Sequence, residues 1–432
     1  MNTSPHTLNT LSAISHATDY DPDSMSVDKA RDVIHQCLEP ICSVERIRLR
    51  EALGRVLAEN IVSTIAVPGF DNAAMDGYAL RFTDVTPHQE TRLQRIGASF
   101  AGHPFDGEVS AGQCLRIFTG AMMPRGADTV VMQEHTREEN GTVILAPNAV
   151  TANEQNHRRA GDDIAPGATV FTHGQRLHAQ ELGMLASLGI AEVVVYRKLR
   201  VAFFSTGDEL VSSGDHAALA AGQIYDSNRY ALYGMLQQLG VEPIDSGIVA
   251  DQPEALEAAL TSAAANADVV ITTGGVSVGE ADFIKAMLAR LGKVLFWKIA
   301  MKPGRPLAYG MLGNAHFFGL PGNPVSAMAV FYQIVREALL ILQGQAPVTP
   351  PPIFHATLTA PIKKAPGRTE FQRGVCEMKE GQNVVTPVTA QGSNILSSMS
   401  RANCFIVLPM DSGSQPADAI VEVQPFHGLL ME

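Results

Sequence analysis

The chain has 432 residues, enough for about three domains of ordinary size, and 46% of its residues are apolar, as in globular proteins. Its 44 Asp and Glu outnumber 32 Lys and Arg, and the net charge of −12 argues against general binding to nucleic acid or to anionic membranes. An acidic protein that binds an anionic ligand needs local Lys or Arg side chains, or a divalent metal, to overcome the repulsion.

Residues 1–25 contain no Lys or Arg and no long apolar run, which predicts a disordered polar tail and no signal peptide. The most apolar predicted helix, Val325–Leu342, is interrupted by Gln333, Arg336 and Glu337. We therefore expect no membrane span.

No pair of cysteines has CxxC spacing, and no histidine cluster lies beside them. We expect reduced thiols, typical of the cytoplasm, with neither zinc sites nor disulfides. The chain has five cysteines: Cys37, Cys42, Cys114, Cys376 and Cys404.

The first folded part is predicted to be helical over residues 26–60. Ser26 is a suitable N-cap, and apolar residues from Val33 to Ile41 recur at helical spacing. We expect a second short helix at Glu51–Ala58 and another at Ala179–Leu188. Residues 26–66 and 165–197 are expected to form one discontinuous αβ domain.

Residues 67–164 are rich in Gly and Pro and contain short β-like runs, such as Leu115–Gly120 and Asp128–Gln133. This pattern predicts an elongated β-rich domain, called the lid below. Its segment Pro68–Ala79 carries Asp71, Asn72, Met75 and Asp76 and is a candidate binding loop; a turn held by Asp and Asn side chains is the alternative. A second charged loop contains Arg158, Arg159, Asp162 and Asp163.

Residues 198–345 alternate between strand and helix patterns, which predicts a doubly wound, mostly parallel αβ sheet. Asp251 is the predicted N-cap of a helix at Gln252–Ala264. The expected elements are strands at Val201–Thr206, Ile244–Val249, Asp268–Thr272, Leu295–Ile299, Leu307–Tyr309 and Phe317–Leu320, and helices at Ser227–Leu239, Gln252–Ala264 and Val325–Leu342. A proline-rich linker, Ala346–Pro352, leads to a small β-domain at 353–432.

The stretch Ala267–Phe283 predicts a phosphate cradle. A strand ends in a loop with Gly274, Gly275 and Gly279, and a helix follows. Glycines allow the backbone to approach an anion, and the free N–H groups of the first helical turn face it. Ser277, Glu280 and Asp282 add oxygen ligands for a bridging metal. An ordinary turn between strand and helix is the alternative.

Further polar residues follow other predicted strands of this domain. Since the carboxyl ends of parallel strands meet at one edge of a sheet, we expect these side chains to converge there. Each one alone could be a helix cap or a solvated turn. Stacked carboxylates repel one another, so their number predicts a shared Mg²⁺. The residues are Ser205, Thr206, Asp208, Glu209, Asp226, Asn228 and Asp251.

The cations that could complement an anion lie in FWKIAMKPGRP. If the strand continues to Met301, Lys298 and Lys302 face the same side. With Arg305 they suit a tetrahedral oxyanion or a diphosphate; a surface charge cluster is the alternative. Nearby, Pro321 and Pro324 would form a rigid pocket wall around a glycine loop. The C-terminal region offers Arg368, Arg373 and Ser393 as anion contacts.

Nine segments occur in an order that resembles the MoeA family of molybdopterin molybdenumtransferases, and the chain is also similar to the E domain of gephyrin. They are PGFDNAAMDGYA, RIFTGAMMPRGADTVV, RRAGDDI, FSTGDEL, GQIYDSN, TTGGVSVGEADF, KPGRP, GLPGNPVSA and GRTEFQRG. The resemblance covers residues from about 26 to 430. It implies a multidomain α/β and β fold, with a MogA-like αβ domain at 198–345, a β-rich lid, a small mixed αβ domain and a C-terminal β-barrel at 353–432.

The family's reaction joins adenylylated molybdopterin with molybdate, uses Mg²⁺, and gives Mo-molybdopterin and AMP. The resemblance implies that Glu209, Asp251 and Asp282 lie at the metal and pterin-phosphate site. Lys298 and Lys302 would hold molybdate or the pterin phosphate, with help from Arg373 and Ser393. Other residues at matching positions would bind the pterin substrate. They are Thr206, Asp226, Gly274, Gly275, Ser277, Gly279, Pro321 and Pro324.

The family's lid reaches the cleft of a partner subunit, so the resemblance implies a homodimer in which Asp76, Thr119 and Asp163 act from the lid or the loop beside it. Molybdopterin adenylyltransferase and other cofactor-synthesis proteins are the expected partners, in the cytoplasm. Two alternatives remain. One is the adenylyltransferase of the preceding step, whose fold is similar to residues 198–344 but normally stands as a single small domain. The other is a scaffold, as in gephyrin.

Overall fold

The computed structural model describes residues 10–11, 25–41, 43–214, 218–274 and 287–426. The predicted loop residues Gly275, Ser277, Gly279, Glu280 and Asp282 lie outside the described residues. The described chain folds into a small N-terminal αβ domain, the lid, a larger αβ domain and a C-terminal barrel.

The N-terminal part begins with one helix and one antiparallel strand pair, β1 with β12. A pair between β2 and β11 leads to the lid. The elements are α1 (Val27–His35), β1 (Val44–Arg48), a 3₁₀ turn at Leu49–Glu51 and β2 (Ile61–Val62), with β11 (Thr169–Phe171), α2 (Ala179–Ser187) and β12 (Glu192–Tyr196) after the lid.

The helix predicted over residues 26–60 is correct only as far as His35. Ser26 does cap α1, accepting a hydrogen bond from the Lys29 N–H at 3.2 Å. Val44–Arg48 is a strand because it pairs with residues almost 150 positions later, Glu192–Tyr196. The helix predicted at Glu51–Ala58 is wrong, since Gly54 has a positive φ of 74° and the chain turns there.

Helix α1 packs on the large αβ domain, although its residues were predicted to belong to the discontinuous N-terminal domain. Its apolar face joins the core beside the sheet. Arg31 donates from Nε to the carbonyl of Gln333 at 2.6 Å and from Nη2 to its Oε1 at 2.9 Å. Leu11 is fully buried in the same core, and Met25 accepts a hydrogen bond from the Ala300 N–H at 2.7 Å. These two residues of the predicted disordered tail are therefore part of the folded core.

The lid is a six-stranded sheet in the order β7-β4-β6-β5-β9-β8, with apolar residues on both faces. The predicted β-runs at Leu115–Gly120 and Asp128–Gln133 are present as β6 and β7. The strands are β3 (Asn72–Ala73), β4 (Gly77–Leu80), β5 (Thr91–Ser99), β6 (Gln113–Ile117), β7 (Thr129–Met132), β8 (Thr136–Glu139), β9 (Thr142–Leu145) and β10 (His157–Arg158), with 3₁₀ turns at Phe82–Asp84 and Gln133–His135.

The large αβ domain contains a six-stranded sheet in the order β16-β13-β17-β21-β20-β18. The first four strands are parallel and the last two antiparallel, which confirms the predicted class. Its strands are β13 (Arg200–Thr206), β14 (Leu210–Val211), β15 (Ile224–Tyr225), β16 (Glu242–Val249), β17 (Val269–Thr273), β18 (Gly292–Lys298), β19 (Met301–Lys302), β20 (Pro306–Leu312) and β21 (Ala315–Leu320). Its helices are α3 (Asn228–Gln238), α4 (Pro253–Asn266) and α5 (Pro324–Leu342), and residues 287–291 are also helical.

Alternating strand residues bury against helices on both faces of this sheet. Phe203 packs on the side of α1, α3 and α5, whereas its neighbour Phe204 packs on the side of α4. Gln252, and not Asp251, is the residue before α4, and it makes no side-chain cap. The predicted capping role of Asp251 is therefore wrong.

Helix α5 is the one helix in the described chain that is long and apolar enough to cross a membrane. Its most apolar window is 83% buried inside the protein. A π-helical turn at Phe331–Val335 lies in the middle of it. There Gln333 donates to Gln424 Oε1 at 2.6 Å, so this helix packs as a core helix between domains.

The C-terminal domain is a closed five-stranded barrel, as predicted. Strands follow the order β23-β24-β22-β26-β25, and β25 pairs back with β23 to close it. Strand β19 of the αβ domain adds to β23 in parallel. The elements are β22 (Phe354–Leu358), β23 (Thr369–Lys379), β24 (Gln382–Pro387), α6 (Ser397–Arg401), β25 (Cys404–Leu408) and β26 (Ile420–Pro425).

Candidate active site

A cleft of about 550 Å³, called the sheet-end cleft below, opens at the carboxyl ends of β13, β17 and β21. This edge is where ligands bind in open αβ sheets. The structure brings six of the predicted substrate-site residues to its walls: Thr206, Glu209, Asp226, Gly274, Pro321 and Pro324.

Thr206 and Gly274 form the floor of the cleft. Thr206 is only 5% exposed, and its Oγ1 has no hydrogen-bond partner among the described residues. Gly274 has a φ of +85°, and a Cβ there would lie 2.5 Å from the Thr206 carbonyl oxygen. Only glycine permits this close approach of the two loops.

Asp226 and Asn228 line another wall, at the start of α3. Asp226 is 2% exposed; its Oδ1 accepts from the Arg229 N–H at 3.2 Å, and its Oδ2 lies 3.4 Å from Arg229 Nε in an ion pair. Asn228 donates from Nδ2 to the carbonyl of Gly322 at 2.7 Å, which fixes the loop between Pro321 and Pro324.

Three buried oxygens of this cleft lack a hydrogen-bond partner among the described residues: Thr206 Oγ1, Asp226 Oδ2 and Asn228 Oδ1. Buried polar atoms are nearly always satisfied, because desolvation without a compensating bond is costly. Their convergence in one cavity indicates a site that is completed by a polar ligand or a cation.

The barrel contributes the outer wall of the cleft. Asn394 and Leu396 line it, and the neighbouring Ser393 carbonyl accepts from the Val325 N–H at 3.1 Å. Sequence reasoning missed Asn394 and Leu396 as cleft residues. The only signal was the QGSN segment, from which Ser393 alone was chosen.

Arg373 lies inside the barrel, 1% exposed. Its guanidinium donates to Ser398 Oγ at 3.1 Å and to the Gly392 carbonyl at 3.2 Å, and burial lowers its pKa to about 10. In this structure it shapes the loop that carries Ser393. Direct contact of Arg373 with a substrate anion stays a prediction.

The two lysines lie in different strands, so the condition for their facing the same side, a strand that continues to Met301, is not met. Lys298 ends β18, and the chain then turns, with the Ile299 N–H donating to the Arg305 carbonyl at 2.6 Å. Lys302 lies in β19 and donates from Nζ to Glu370 Oε1 at 3.2 Å. The sheet partner of β19 is the barrel and not β20. Pro306, which follows this segment, lines the cleft, whereas neither lysine is among its lining residues.

Of the predicted metal ligands, Glu209 lines the cleft, and its carboxylate folds back over Gly207. The Asp251 N–H donates to Asp208 Oδ1 at 3.2 Å, so the loops that follow β13 and β16 are in contact. Asp282 lies outside the described residues. Within the described ranges, no three His, Cys, Asp or Glu side chains are grouped as a metal site.

Asp76 and Thr119 meet in the lid and do not line the sheet-end cleft of their own chain. The Thr119 N–H and Oγ1 both donate to Asp76 Oδ1 at 2.8 Å. The backbone hydrogen bond, followed by that of the hydroxyl, lowers the pKa of Asp76. This pair is therefore an ionised carboxylate with one oxygen held in place.

Asp163 lines a separate cavity of about 670 Å³ at the base of the lid, together with Pro68, Asn72 and Arg158. Asp71 of the predicted binding loop has a structural role: it accepts from the Ala160 N–H at 2.8 Å and lies 3.1 Å from His157 Nε2. Both contacts join the loop to residues 157–160 of the second charged loop, so Asp71 ties two distant segments together and does not hold a local turn.

Three family models match consecutive parts of the chain. They describe the MoeA N-terminal region (domain I and II) over residues 25–189, a probable molybdopterin binding domain over 202–340, and the MoeA C-terminal region (domain IV) over 355–426. The molybdopterin molybdenumtransferase of Haemophilus influenzae is 47% identical over 408 residues, which cover 94% of this chain and 100% of that protein. The chain belongs to the MoeA family.

Other relatives agree with this assignment. The Bacillus subtilis molybdopterin molybdenumtransferase is 34% identical and covers 88% of this chain and 89% of its own length. The crystal structure of the molybdopterin biosynthesis moeA protein from Pyrococcus horikoshii OT3 matches with a TM-score of 0.82 at 30% identity, over 94% of this chain and 100% of that chain. The family predicted from the nine segments is confirmed.

Proposed function

We propose that this protein is a molybdopterin molybdenumtransferase of molybdenum cofactor biosynthesis, and that it inserts molybdate into adenylylated molybdopterin with release of AMP. The observation that carries the proposal is the set of buried oxygens in the sheet-end cleft that have no hydrogen bond from the described residues. That cleft lies mainly in the segment similar to a probable molybdopterin binding domain. The names of the relatives support the transferase activity.

The cleft's donor chemistry fits Mg²⁺. Its polar wall is made of carboxylate, amide and hydroxyl oxygens from Glu209, Asn228 and Thr206, and Mg²⁺ prefers oxygen ligands, usually one or two carboxylates with substrate phosphates. Glu209, Asp251 and Asp282 are the residues that would hold it. When bound, Mg²⁺ would supply positive charge to the diphosphate of the adenylylated pterin.

Lys298 and Lys302 supply the positive charge that comes from the protein. Molybdate is a tetrahedral dianion, and an ammonium group donates up to three hydrogen bonds to such an oxyanion. The lysines hold molybdate near the dithiolene sulfurs of the pterin, and Gly274 with Pro321 shapes the wall against which the substrate lies. The bond to AMP breaks only once molybdate is bound.

The lid contributes from the partner subunit of a homodimer. Asp76 and Thr119 form an exposed, fixed pair, and no described residue of the same chain's sheet-end cleft contacts it through a hydrogen bond. Asp163 lies at another cavity at the base of the lid. In the homodimer, these residues reach the sheet-end cleft of the second copy and take part in the reaction there.

The reaction takes place in the cytoplasm, after a molybdopterin adenylyltransferase has made the adenylylated substrate. That enzyme and other cofactor-synthesis proteins are the proposed partners. Cys37, Cys114 and Cys404 are buried free thiols, which suit a reducing compartment.

The test adds adenylylated molybdopterin, Mg²⁺ and molybdate to the pure protein and follows AMP release. We expect AMP only when molybdate is present. Lys302→Ala and Asp282→Asn should abolish molybdenum insertion while the circular dichroism spectrum stays that of wild type. Normal insertion by either variant would refute the role of that residue. Consumption of ATP with metal-free molybdopterin would instead indicate the adenylyltransferase of the preceding step.

A further inference from the structure

The segment 299–305, called the lysine loop below, carries Lys302 and is held by the barrel. The Ile299 N–H bonds the Arg305 carbonyl at 2.6 Å and closes the loop at its base. At its tip, Met301 and Lys302 pair in parallel with Thr369 and Glu370 of β23. The Thr369 N–H also donates to the Ala300 carbonyl at 2.9 Å.

Glu370 is a buried carboxylate whose two oxygens have different partners. Its side chain is 4% exposed, while that of Lys302 is 51% exposed. Oε1 accepts from Lys302 Nζ at 3.2 Å, and Oε2 accepts from Gln372 Nε2 at 2.8 Å. A buried carboxylate requires such partners, because an unpaired charge in the interior is strongly unfavourable. Glu370 is thus fixed from within the barrel, and Lys302 reaches from it toward solvent.

This geometry orders the lysine before any ligand arrives. A free lysine side chain has many rotamers, and holding it in one of them costs conformational entropy when it binds an anion. The ion pair with a fixed carboxylate has already selected the rotamer. An ammonium has three N–H donors, and Glu370 takes one.

We propose that Glu370 is a positioning residue for oxyanion binding: it fixes the Lys302 ammonium so that its other donors meet molybdate. The inference rests on the proposed function, in which Lys302 holds the oxyanion. It assigns the barrel a direct influence on the chemistry of the neighbouring αβ domain. Gln372 takes part as the residue that fixes the second oxygen of Glu370.

The first test is Glu370→Gln, which keeps the shape of the side chain and removes its charge. The assay measures AMP release against molybdate concentration and, separately, against adenylylated molybdopterin. We expect the KM for molybdate to rise about tenfold, because a neutral acceptor holds the lysine more weakly. The KM for the adenylylated pterin should stay within about twofold of wild type, since Glu370 does not line the cleft.

Lys364→Met is the matched control for a purely structural effect. Lys364 is also buried in the barrel, where its Nζ donates to the carbonyls of Ala365, Met410 and Ser412. This variant should lower the unfolding temperature and leave the KM for molybdate unchanged. A second variant, Gln372→Met, keeps the carboxylate but frees one of its oxygens, and we expect a rise of about threefold in the same KM.

An active Glu370→Gln enzyme whose molybdate KM is unchanged or lower would overturn the inference, as would an equal rise for both substrates. An equal rise in Lys364→Met would also overturn it, because barrel stability would then explain the effect. If Glu370→Gln fails to fold, an unchanged molybdate KM in Gln372→Met is the decisive contrary result. Failure of the proposed function has a different signature: wild-type protein that releases no AMP when molybdate is added.

Discussion

The two ends of the large αβ sheet use polar side chains in opposite ways. At the carboxyl ends, Thr206, Asp226 and Asn228 each have one buried oxygen without a hydrogen bond from the described residues, although that of Asp226 lies 3.4 Å from Arg229 Nε. At the amino ends, Asp268 accepts from both terminal nitrogens of Arg197, at 2.6 and 2.7 Å, and from the Arg200 N–H at 2.8 Å. Paired polar groups hold the fold together, and unpaired ones mark where a ligand completes the structure.

Cavity size does not distinguish the two ends. A cavity of about 700 Å³ at the amino ends, lined by Leu260, Ala264 and Leu312, is larger than the sheet-end cleft of about 550 Å³. Its carboxylate, Asp268, is already fully paired. The state of the polar atoms, and not the volume, therefore distinguishes the candidate active site from this cavity.

The largest effect is expected at the amino ends, from pH. His316 in β21 is buried beside the Tyr309 hydroxyl, and burial lowers its pKa from 6.5 to about 4, while Asp268 opposes the shift. Because the unfolded chain binds the proton first, the free energy of unfolding falls as pH drops from about 6.5 to about 4. The loss reaches about 3 kcal/mol at the lower limit.

Urea unfolding of wild type and His316→Gln across this pH range measures that contribution. The difference in unfolding free energy between the two proteins should shrink as pH falls, because the variant lacks the proton-binding group. A difference that is constant with pH would show that His316 does not titrate as its burial requires.

The next largest effect concerns the floor of the sheet-end cleft. Gly274→Ala would place a Cβ 2.5 Å from the Thr206 carbonyl oxygen and move the loop, and we expect kcat/KM to fall roughly a hundredfold. Gly240→Ala is the control: it has a similar φ of +74° but no atom within 4 Å of the new Cβ. It should cost about 1 kcal/mol of stability and keep its activity. Equal activity losses in both variants would show that the close packing of Gly274 against Thr206 is not what the activity requires.

A moderate effect on stability is expected from Asp268→Asn. Although burial opposes it, hydrogen bonds from Arg197 lower the pKa of Asp268, and loss of the charge should cost about 2 kcal/mol in urea unfolding. Molybdenum insertion per folded molecule should not change. Glu257→Gln, in the exposed pair with Arg290, should change stability by less than about 0.5 kcal/mol. A strong loss of activity in Asp268→Asn would contradict the claim that the polar groups at the amino ends serve stability alone.

The smallest effect is the most specific. Thr206→Val removes a buried hydroxyl that has no partner in the described chain, so the protein should be as stable as wild type or slightly more stable. Adenylylated pterin should bind about tenfold more weakly by calorimetry. Thr273→Val is the control: its hydroxyl is bonded to Ser205 Oγ at 2.9 Å, and its loss should cost about 1 kcal/mol of stability. A destabilised Thr206→Val protein would mean that Thr206 has a structural partner.

The cleft could be located from the sequence because its residues lie at strand ends: Thr206 ends β13 and Gly274 follows β17. Strand order in an αβ sheet brings such positions together. It failed where distant segments decide the local structure. Val44–Arg48 is a strand only through its pairing with Glu192–Tyr196. The strand considered as far as Met301 ends at Lys298, and Met301 and Lys302 pair with the barrel instead.

The same limit applies to the partners of the charged residues. Glu370 lies 68 residues from Lys302, so no local pattern shows that the two are paired. Arg373 was predicted as an anion contact because of its charge, and its burial depends on closure of the barrel by β25. A residue's role that depends on contacts between two domains can be recognised only in the folded chain.

The most direct test is a crystal structure of the protein with adenylylated molybdopterin and tungstate, whose anomalous signal marks the oxyanion. Our account predicts the pterin within hydrogen-bond distance of Thr206 Oγ1 or Asp226 Oδ2, and the tungsten beside the Lys302 ammonium. Ligand density at the opposite end of the sheet, between Arg200 and Leu312, would contradict it.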